Sequence, residues 1–266
     1  MTASATNSNR QHDSGGIAVA VRSVSMVYPG PVEALQDINL EFPEGQLTTL
    51  LGPSGCGKTT LLKIIAGLIQ PTAGTVLVNG QEVTAPGPER AFVFQDFALL
   101  PWANVIRNVA FGLELRGVPL SEREAIAETY IGSVGLSGFE RKYPHELSGG
   151  MRQRVGLARA LCVKADVLLM DEPFSAVDEQ TRRKFQEDLL QLVAHERRTF
   201  LFVTHSIEEA VYLSDRIVLL SPRPGRVWKT IEPRLSRTLS PDQIRREPVY
   251  LDTVETIWQS LKEYVE

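Results

Sequence analysis

Cysteine is nearly absent: Cys56 and Cys162 are the only two in 266 residues. Two such residues supply no disulfide framework and fit a reducing compartment. Long apolar runs are also missing, and nothing approaches the roughly 18 residues of a membrane span. There is no basic excess either. Lys and Arg number 28 against 32 Asp and Glu, a net charge of −4, which leaves no electrostatic footprint for nucleic acid. Residues 1–16 are polar, with no apolar segment, and read as a disordered tail and not as a signal peptide. No internal repeat is visible. These absences predict a soluble, cytoplasmic protein whose membrane connection, if it has one, comes through a partner. The length predicts one large domain or a domain with a subdomain.

Against that background one stretch stands out. Gly52-Pro53-Ser54-Gly55-Cys56-Gly57-Lys58-Thr59 follows the apolar run Thr48, Thr49, Leu50, Leu51. It matches G-x-x-x-x-G-K-[ST], a phosphate-binding loop between a strand and a helix. Gly52, Gly55 and Gly57 let the backbone turn tightly, so that successive N–H groups point inward at a phosphate. Lys58 can reach the outer phosphates and the Thr59 hydroxyl can ligate Mg²⁺. Leu61, Leu62, Ile64, Ile65 and Leu68 then recur at helical spacing. A helix starting near Thr60 adds a dipole that favours an anion. A nucleoside triphosphate is the expected ligand. Cys56 has two readings, a thiol made reactive by the helix N-terminus or a small inert filler.

The rest of the chain alternates. Strands are predicted at Ile17–Val27, Leu35–Phe42, Thr75–Val78, Arg90–Gln95, Val167–Met170, Thr199–Val203 and Arg216–Leu220, with an Asn79-Gly80 hairpin turn. Helices are predicted at Asn104–Leu115, Ser121–Val134, Ser148–Cys162, Asp178–Arg197 and Ile207–Leu213. The first three of these helices form a block inserted into a strand–helix alternation, which predicts a mainly parallel sheet covered on both faces. Pro222, Pro224 and Gly225 mark a break. Beyond it, Val254, Ile257, Trp258, Leu261 and Val265 fall on one helical face, the pattern of a helix docked on its own domain.

Further chemistry lies outside the loop. Val167–Asp171 is an apolar strand ending in an acid, where a phosphate-loop protein holds Mg²⁺. Glu172 follows at once and is placed to polarise a water. Gln95 ends a short strand with an amide that can ligate Mg²⁺ or position a water. His205 follows a strand and can hydrogen-bond a terminal phosphate, whereas His12, His145 and His195 have no comparable setting and read as surface residues. Leu147-Ser148-Gly149-Gly150-Met151 opens a helix with a hydroxyl and free N–H groups, a second anion site. Two phosphate-like sites in one domain make sense if the second serves the nucleotide of another subunit.

Together these motifs resemble the ATP-binding cassette (ABC) ATPases, the nucleotide-binding subunits of ABC transporters, from about Ile17 to Gly225. The resemblance implies an α/β phosphate-loop NTPase with a mainly parallel core sheet, an N-terminal antiparallel β portion and an inserted helical subdomain. The implied organisation is a tail at 1–16, an ATPase domain at 17–225 with its helical subdomain at about 96–163, and a C-terminal extension with a helix at 226–266. Gly52–Thr59 matches the Walker A loop, Val167–Asp171 the Walker B strand, Gln95 the Q-loop, Leu147–Met151 the signature, Ser175–Asp178 the D-loop and His205 the switch histidine. Catalysis then falls to Glu172 as base with His205, Lys58 and Gln95, and Mg²⁺ to Thr59, Gln95 and Asp171. ATP contacts are implied for Tyr28, stacked on adenine, for Gly52, Pro53, Ser54, Gly55, Cys56, Gly57, Lys58, Thr59 and Thr60, and for Ser148, Gly149, Gly150 and Asp178. Two departures stand out: Met151 replaces the family's Gln, and Val177 its Leu.

The implied mechanism is a head-to-tail homodimer that closes on two ATP molecules and reopens on hydrolysis. The apolar run Phe94–Trp102 reads either as a surface that receives a permease subunit or as packing within the helical block. Leu99-Leu100-Pro101-Trp102, with Asn108-Val109, Gly112-Leu113-Glu114 and Ser221–Arg226, resembles the nitrate/sulfonate/taurine importer branch. That implies transmembrane permease subunits, indirectly a solute-binding protein, a place on the cytoplasmic face of the inner membrane, and uptake of a small anionic solute. The competing classes are a soluble ABC ATPase acting on nucleic acid or ribosomes, and a phosphate-loop switch protein. The first usually carries coiled-coil inserts or two cassettes, which this chain lacks. Glu172 and the signature argue for turnover against the second.

Overall fold

The computed structural model describes residues 16–175, 179–195 and 198–263. Two sheets organise it. The first is antiparallel, in the order β2-β1-β4-β5, from β1 (Ile17–Tyr28), β2 (Val32–Pro43), β4 (Ala73–Val78) and β5 (Gln81–Glu82). The β4–β5 hairpin turns on Asn79 (φ 49°) and Gly80 (φ 77°). Both are left-handed, as a primed two-residue turn requires, and Asn-Gly is the pair that tolerates it.

The second sheet runs β10-β9-β3-β8-β7-β6. Its members are β3 (Leu47–Leu51), β6 (Arg90–Val93), β7 (Val167–Asp171), β8 (Thr199–Thr204), β9 (Arg216–Leu220) and β10 (Val227–Ile231). The five strands from β9 to β6 pair in parallel, and β10 closes one edge antiparallel. Every residue of β3, β7 and β8 is buried, as expected for strands covered on both faces.

Alternation along the strands divides the core in two. Leu201, Val203, Leu169 and Leu50 face a cluster made with the antiparallel sheet and α1 (Lys58–Ile65). Phe200, Phe202, Leu168, Met170 and Leu51 face the other cluster. That cluster takes in α2 (Val105–Leu115), α3 (Leu120–Ser133), α4 (Gly149–Cys162), α5 (Glu179–His195) and α6 (Ile207–Leu213). α2, α3 and α4 pack on one another and form the helical block.

The chain continues past Gly225 into the same sheet through β10. It then forms α7 (Pro241–Ile244), with a capping box between Ser240 and Gln243, and α8 (Pro248–Lys262). α8 docks on α6. Ile257 is fully buried and Val254 and Leu261 pack beside it, but Trp258 is half exposed. The apolar stripe is therefore narrower than its sequence suggests, and Tyr250 supplies buried surface instead.

Candidate functional site

Parallel strands end on the same edge, and here that edge collects the predicted residues. β3 runs into Gly52, β8 into His205, β7 ends at Asp171 with Glu172 next, and β6 leads to Gln95 two residues later. The register aligns these ends: Leu51 pairs with Thr204, Asp171 with Val203, and Val93 with Met170. Residues from 52 to 205 thus meet along one row, in the spatial order loop, His205, Asp171-Glu172, Gln95.

The loop has a sealed base and an open crest. Pro53, Ser54 and Gly55 are exposed, while Cys56 and Lys58 are buried. Gly57 sits at φ 98° as the N-cap of α1. A Cβ there would lie 2.5 Å from Leu35 Cδ2 and 2.8 Å from the Ala34 carbonyl oxygen, so only glycine fits. The helix begins at Lys58, two residues before the sequence places it, because the loop's last turn already closes the Leu61 N–H onto the Gly57 carbonyl. Lys58 Nζ donates to the carbonyls of Gly52 (2.8 Å) and Pro53 (3.0 Å). The ammonium is therefore held inside the loop, where a phosphate would need a positive charge. Burial pushes the Cys56 thiol above its ordinary value and outweighs the neighbouring Lys58. Of its two readings, the inert filler is the one this supports. Tyr28, at the end of β1, shares a 3.3 Å hydrogen bond with the Thr60 hydroxyl and so stands beside the loop.

Thr59 Oγ1 donates to Asp171 Oδ1 at 2.8 Å, across 112 positions of sequence. Asp171 is buried, and its carboxyl is raised above its ordinary value, first by burial and then by Glu172; the Thr59 bond, Lys63 and Lys58 oppose this. Glu172 adopts φ 44°, a conformation that non-glycine residues occupy only when surrounding structure holds it there. Its N–H donates to the Val203 carbonyl (3.0 Å), and its own carbonyl accepts from the Ser175 hydroxyl (3.0 Å). Glu172 Oε2 lies 3.3 Å from His205 Nδ1, and the His205 ring is otherwise open to solvent.

Ser148, Gly149 and Gly150 open α4, where the Ser148 hydroxyl accepts from the Met151 N–H at 3.3 Å. Among the described residues no hydrogen bond joins them to the Gly52–Thr59 loop. Asp178, with Ala176 and Val177, lies outside the described residues.

No motif in the sequence points to Arg159. Its guanidinium leaves α4 and donates to the carbonyls of Ala98 and Phe97, each at 2.7 Å. Phe97 (φ 63°) and Ala98 (φ 42°) are both left-handed. Arg159 thereby clamps the segment after Gln95 to the helix that Ser148 caps. The available signal was an arginine set among Leu157, Ala158, Ala160 and Leu161 with no acid three or four positions away.

Comparison with known proteins agrees with this geometry. Residues 35–175 match the family described as ABC transporter. An uncharacterized ABC transporter ATP-binding protein of Methanocaldococcus jannaschii is 55% identical over 206 residues, covering 77% of each chain. The taurine import ATP-binding protein TauB of Pseudomonas putida is 48% identical over 239 residues, covering 88% of this chain and 91% of that one. Among solved structures, the ATP-binding cassette MJ0796, a dimer in a post-hydrolysis state bound to ADP and Pi, superposes with a TM-score of 0.72. It is 30% identical, covering 80% of this chain and 98% of that one. The chain belongs to the ABC transporter family, as an ATP-binding subunit of the branch that includes the taurine import proteins.

Proposed function

We propose that this chain hydrolyses ATP to drive a membrane importer for a small anionic solute of the taurine, sulfonate or nitrate kind. The observation that carries the ATPase reading is the row of Lys58, Thr59, Asp171, Glu172 and His205 along one sheet edge, with Thr59 bonded to Asp171 and Glu172 against His205. The import reading rests on likeness to the TauB proteins.

Each residue then has a task. The loop N–H groups and Lys58 receive the β- and γ-phosphates, and Tyr28 stacks on the base. The Glu172 carboxylate accepts a proton from the water that attacks the γ-phosphorus, as the bond from that phosphorus to the ADP oxygen breaks. His205 holds Glu172 in place and donates to the γ-phosphate. Thr59, Asp171 and Gln95 suit Mg²⁺, an ion commonly bound by one or two carboxylates plus phosphate oxygens. Among the described residues, no cluster of three His, Cys, Asp or Glu offers an all-protein metal cage. Bound there, Mg²⁺ neutralises charge on the phosphate oxygens.

Ser148, Gly149 and Gly150 serve the ATP of a second copy in a head-to-tail homodimer, and Asp178 contributes at the same junction. The dimeric state of the MJ0796 cassette supports the homodimer. The described helices include none long and apolar enough to cross a membrane. Attachment to the inner face of the membrane is therefore assigned to permease subunits, with a solute-binding protein feeding them from outside. The test is co-purification with a multi-span permease and ATPase stimulation by loaded binding protein in proteoliposomes. Stimulation by nucleic acid in the absence of any permease would sink the reading.

A further inference from the structure

The C-terminal extension reaches the switch histidine through a chain of polar side chains, three of them buried. On the sheet side, Thr204, the last residue of β8, is buried. Its hydroxyl donates to Glu209 Oε2 at 2.6 Å and accepts from the Ser206 N–H at 3.1 Å. That second bond spans His205, so the Thr204 side chain sets the backbone on which the imidazole is carried. Glu209, on α6 and buried, accepts at Oε1 from Gln186 Nε2 at 3.3 Å. Gln186, on α5 and also buried, accepts at Oε1 from Arg245 Nη2 at 3.3 Å. Arg245 caps α7, and its guanidinium lies 4.3 Å from the centre of the Tyr212 ring on α6. Thr204, Glu209 and Gln186 are buried, where an unmade hydrogen bond costs most, and Arg245 closes the chain from a half-buried position. The orientation of one link therefore constrains the next.

We infer that Arg245 is a positioning residue for ATP hydrolysis. Through Gln186, Glu209 and Thr204, the C-terminal extension holds His205 at its working distance from Glu172. This rests on the assignment of His205 to the ATP site. The amide of Gln186 is the directional element: with Arg245 fixing its oxygen, its NH₂ is turned toward Glu209. Without Arg245 the amide can flip, Glu209 Oε1 loses that donor and is left with the longer Arg182 contact at 3.9 Å, and the acceptor of Thr204 is held less firmly. His205 is then displaced while the phosphate loop is untouched.

The test is steady-state ATPase kinetics of the full-length protein carrying Arg245→Met, Gln186→Leu, Thr204→Val and His205→Ala, with melting temperatures recorded alongside. Arg245→Met is expected to lower kcat about ten- to a hundredfold, the range for a misplaced catalytic group. KM for ATP should stay within about twofold, because the loop that binds the phosphates does not change. Arg245→Lys, which still offers Gln186 a donor, should recover most of the rate. The double variant Arg245→Met/Gln186→Leu should be no slower than the worse single variant, because links of one chain are not additive. Trp258→Ala, on the exposed face of α8, should leave kcat unchanged.

Multiplying losses in the double variant overturn the proposal, and so does an Arg245→Lys protein as slow as Arg245→Met. A fall in melting temperature with wild-type kcat at 25 °C would make Arg245 a structural residue only and would likewise overturn it. If Arg245→Met does not fold, Gln186→Leu tests the same chain from its middle and must lower kcat at unchanged KM. His205→Ala separates the two levels. Wild-type kcat in that variant refutes the assignment of the histidine, whereas a slow His205→Ala beside a normal Arg245→Met refutes the chain alone.

Discussion

Replacing Arg159 with methionine keeps the length and bulk of the side chain and deletes two charged hydrogen bonds, to the carbonyls of Phe97 and Ala98 at 2.7 Å. Bonds to a charged donor contribute about 1.5–3 kcal/mol each. Against that, burial already works against the guanidinium, depressing its ordinarily very high pKa, so its removal returns part of the loss. The net expectation is about 2–3 kcal/mol, most of it from the part-buried Phe97 carbonyl, since the Ala98 bond is exposed. The loss should be local. Phe97 and Ala98 are left-handed, a conformation costing roughly 1–2 kcal/mol each for residues with a side chain. Once unclamped, the segment relaxes toward ordinary backbone. The assay is amide hydrogen exchange. The Phe97 N–H is bonded to the Phe94 carbonyl and the Leu100 N–H to Asn108 Oδ1. These two amides should exchange roughly 30- to 150-fold faster in the variant, the factor that about 2–3 kcal/mol implies. Wild-type protection at Phe97 and Leu100, with lost protection in the middle of α4, would refute the reasoning: Arg159 would then be a residue of its helix and not a clamp. In the proposed importer, the same variant should bind ATP normally and lose stimulation by the permease.

Three further outcomes are expected. Gly57→Ala should cost about 2–4 kcal/mol in urea unfolding, from left-handed strain and the clash with Leu35, and should abolish binding of a fluorescent ATP analogue; normal binding would mean that the loop does not cradle phosphate. Glu172→Gln should retain ATP binding, accumulate dimers by light scattering and lose about 100-fold or more in kcat; wild-type turnover would remove Glu172 as the base. The third concerns the thiols. Burial pushes Cys162 up to about 11 and also raises Cys56, so both stay protonated at pH 8. The stability that accompanies those protons is present through neutral pH and is lost only as pH rises through the raised values. An aromatic disulfide reagent at pH 8 should therefore find no fast thiol in the native protein and two in urea; a fast native thiol would show that one of the two pockets opens.

Much of this was legible because it is local. The motif at Gly52–Thr59, the acid after an apolar strand at Asp171, and the short helix Ile207–Leu213, which has the predicted bounds, each lie within one window of sequence. Buried parallel strands announced themselves as unbroken apolar runs at Val167–Met170 and, after Thr199, at Phe200–Val203. What escaped is set by distant partners. No pattern in sequence states that Thr59 meets Asp171 or that Leu51 is level with Thr204, since register comes from the packed sheet. Arg159 looked like any helical arginine because its acceptors are carbonyls, which leave no trace in residue type. β10 went unread because Val227–Ile231 is short and half exposed at the edge of the sheet. The proposed role of Ser148–Gly150 is legible only with a second copy in mind, and one chain does not bring these residues to the loop.

The register along the sheet edge has a mechanical consequence. Neighbouring strands stand about 4.8 Å apart, a spacing that a ladder of backbone hydrogen bonds holds rigid. The loop after β3, the histidine after β8 and the acids at β7 are therefore mounted on adjacent rungs of one lattice. Stretching the distance between Lys58 and Glu172 would mean tearing that lattice. In the proposed dimer, a cycle that opens and shuts around ATP leaves this row still and moves what faces it: the helical block, whose α4 Ser148 caps, and the opposing copy of the chain. The sheet edge is the anvil; the parts that travel are elsewhere.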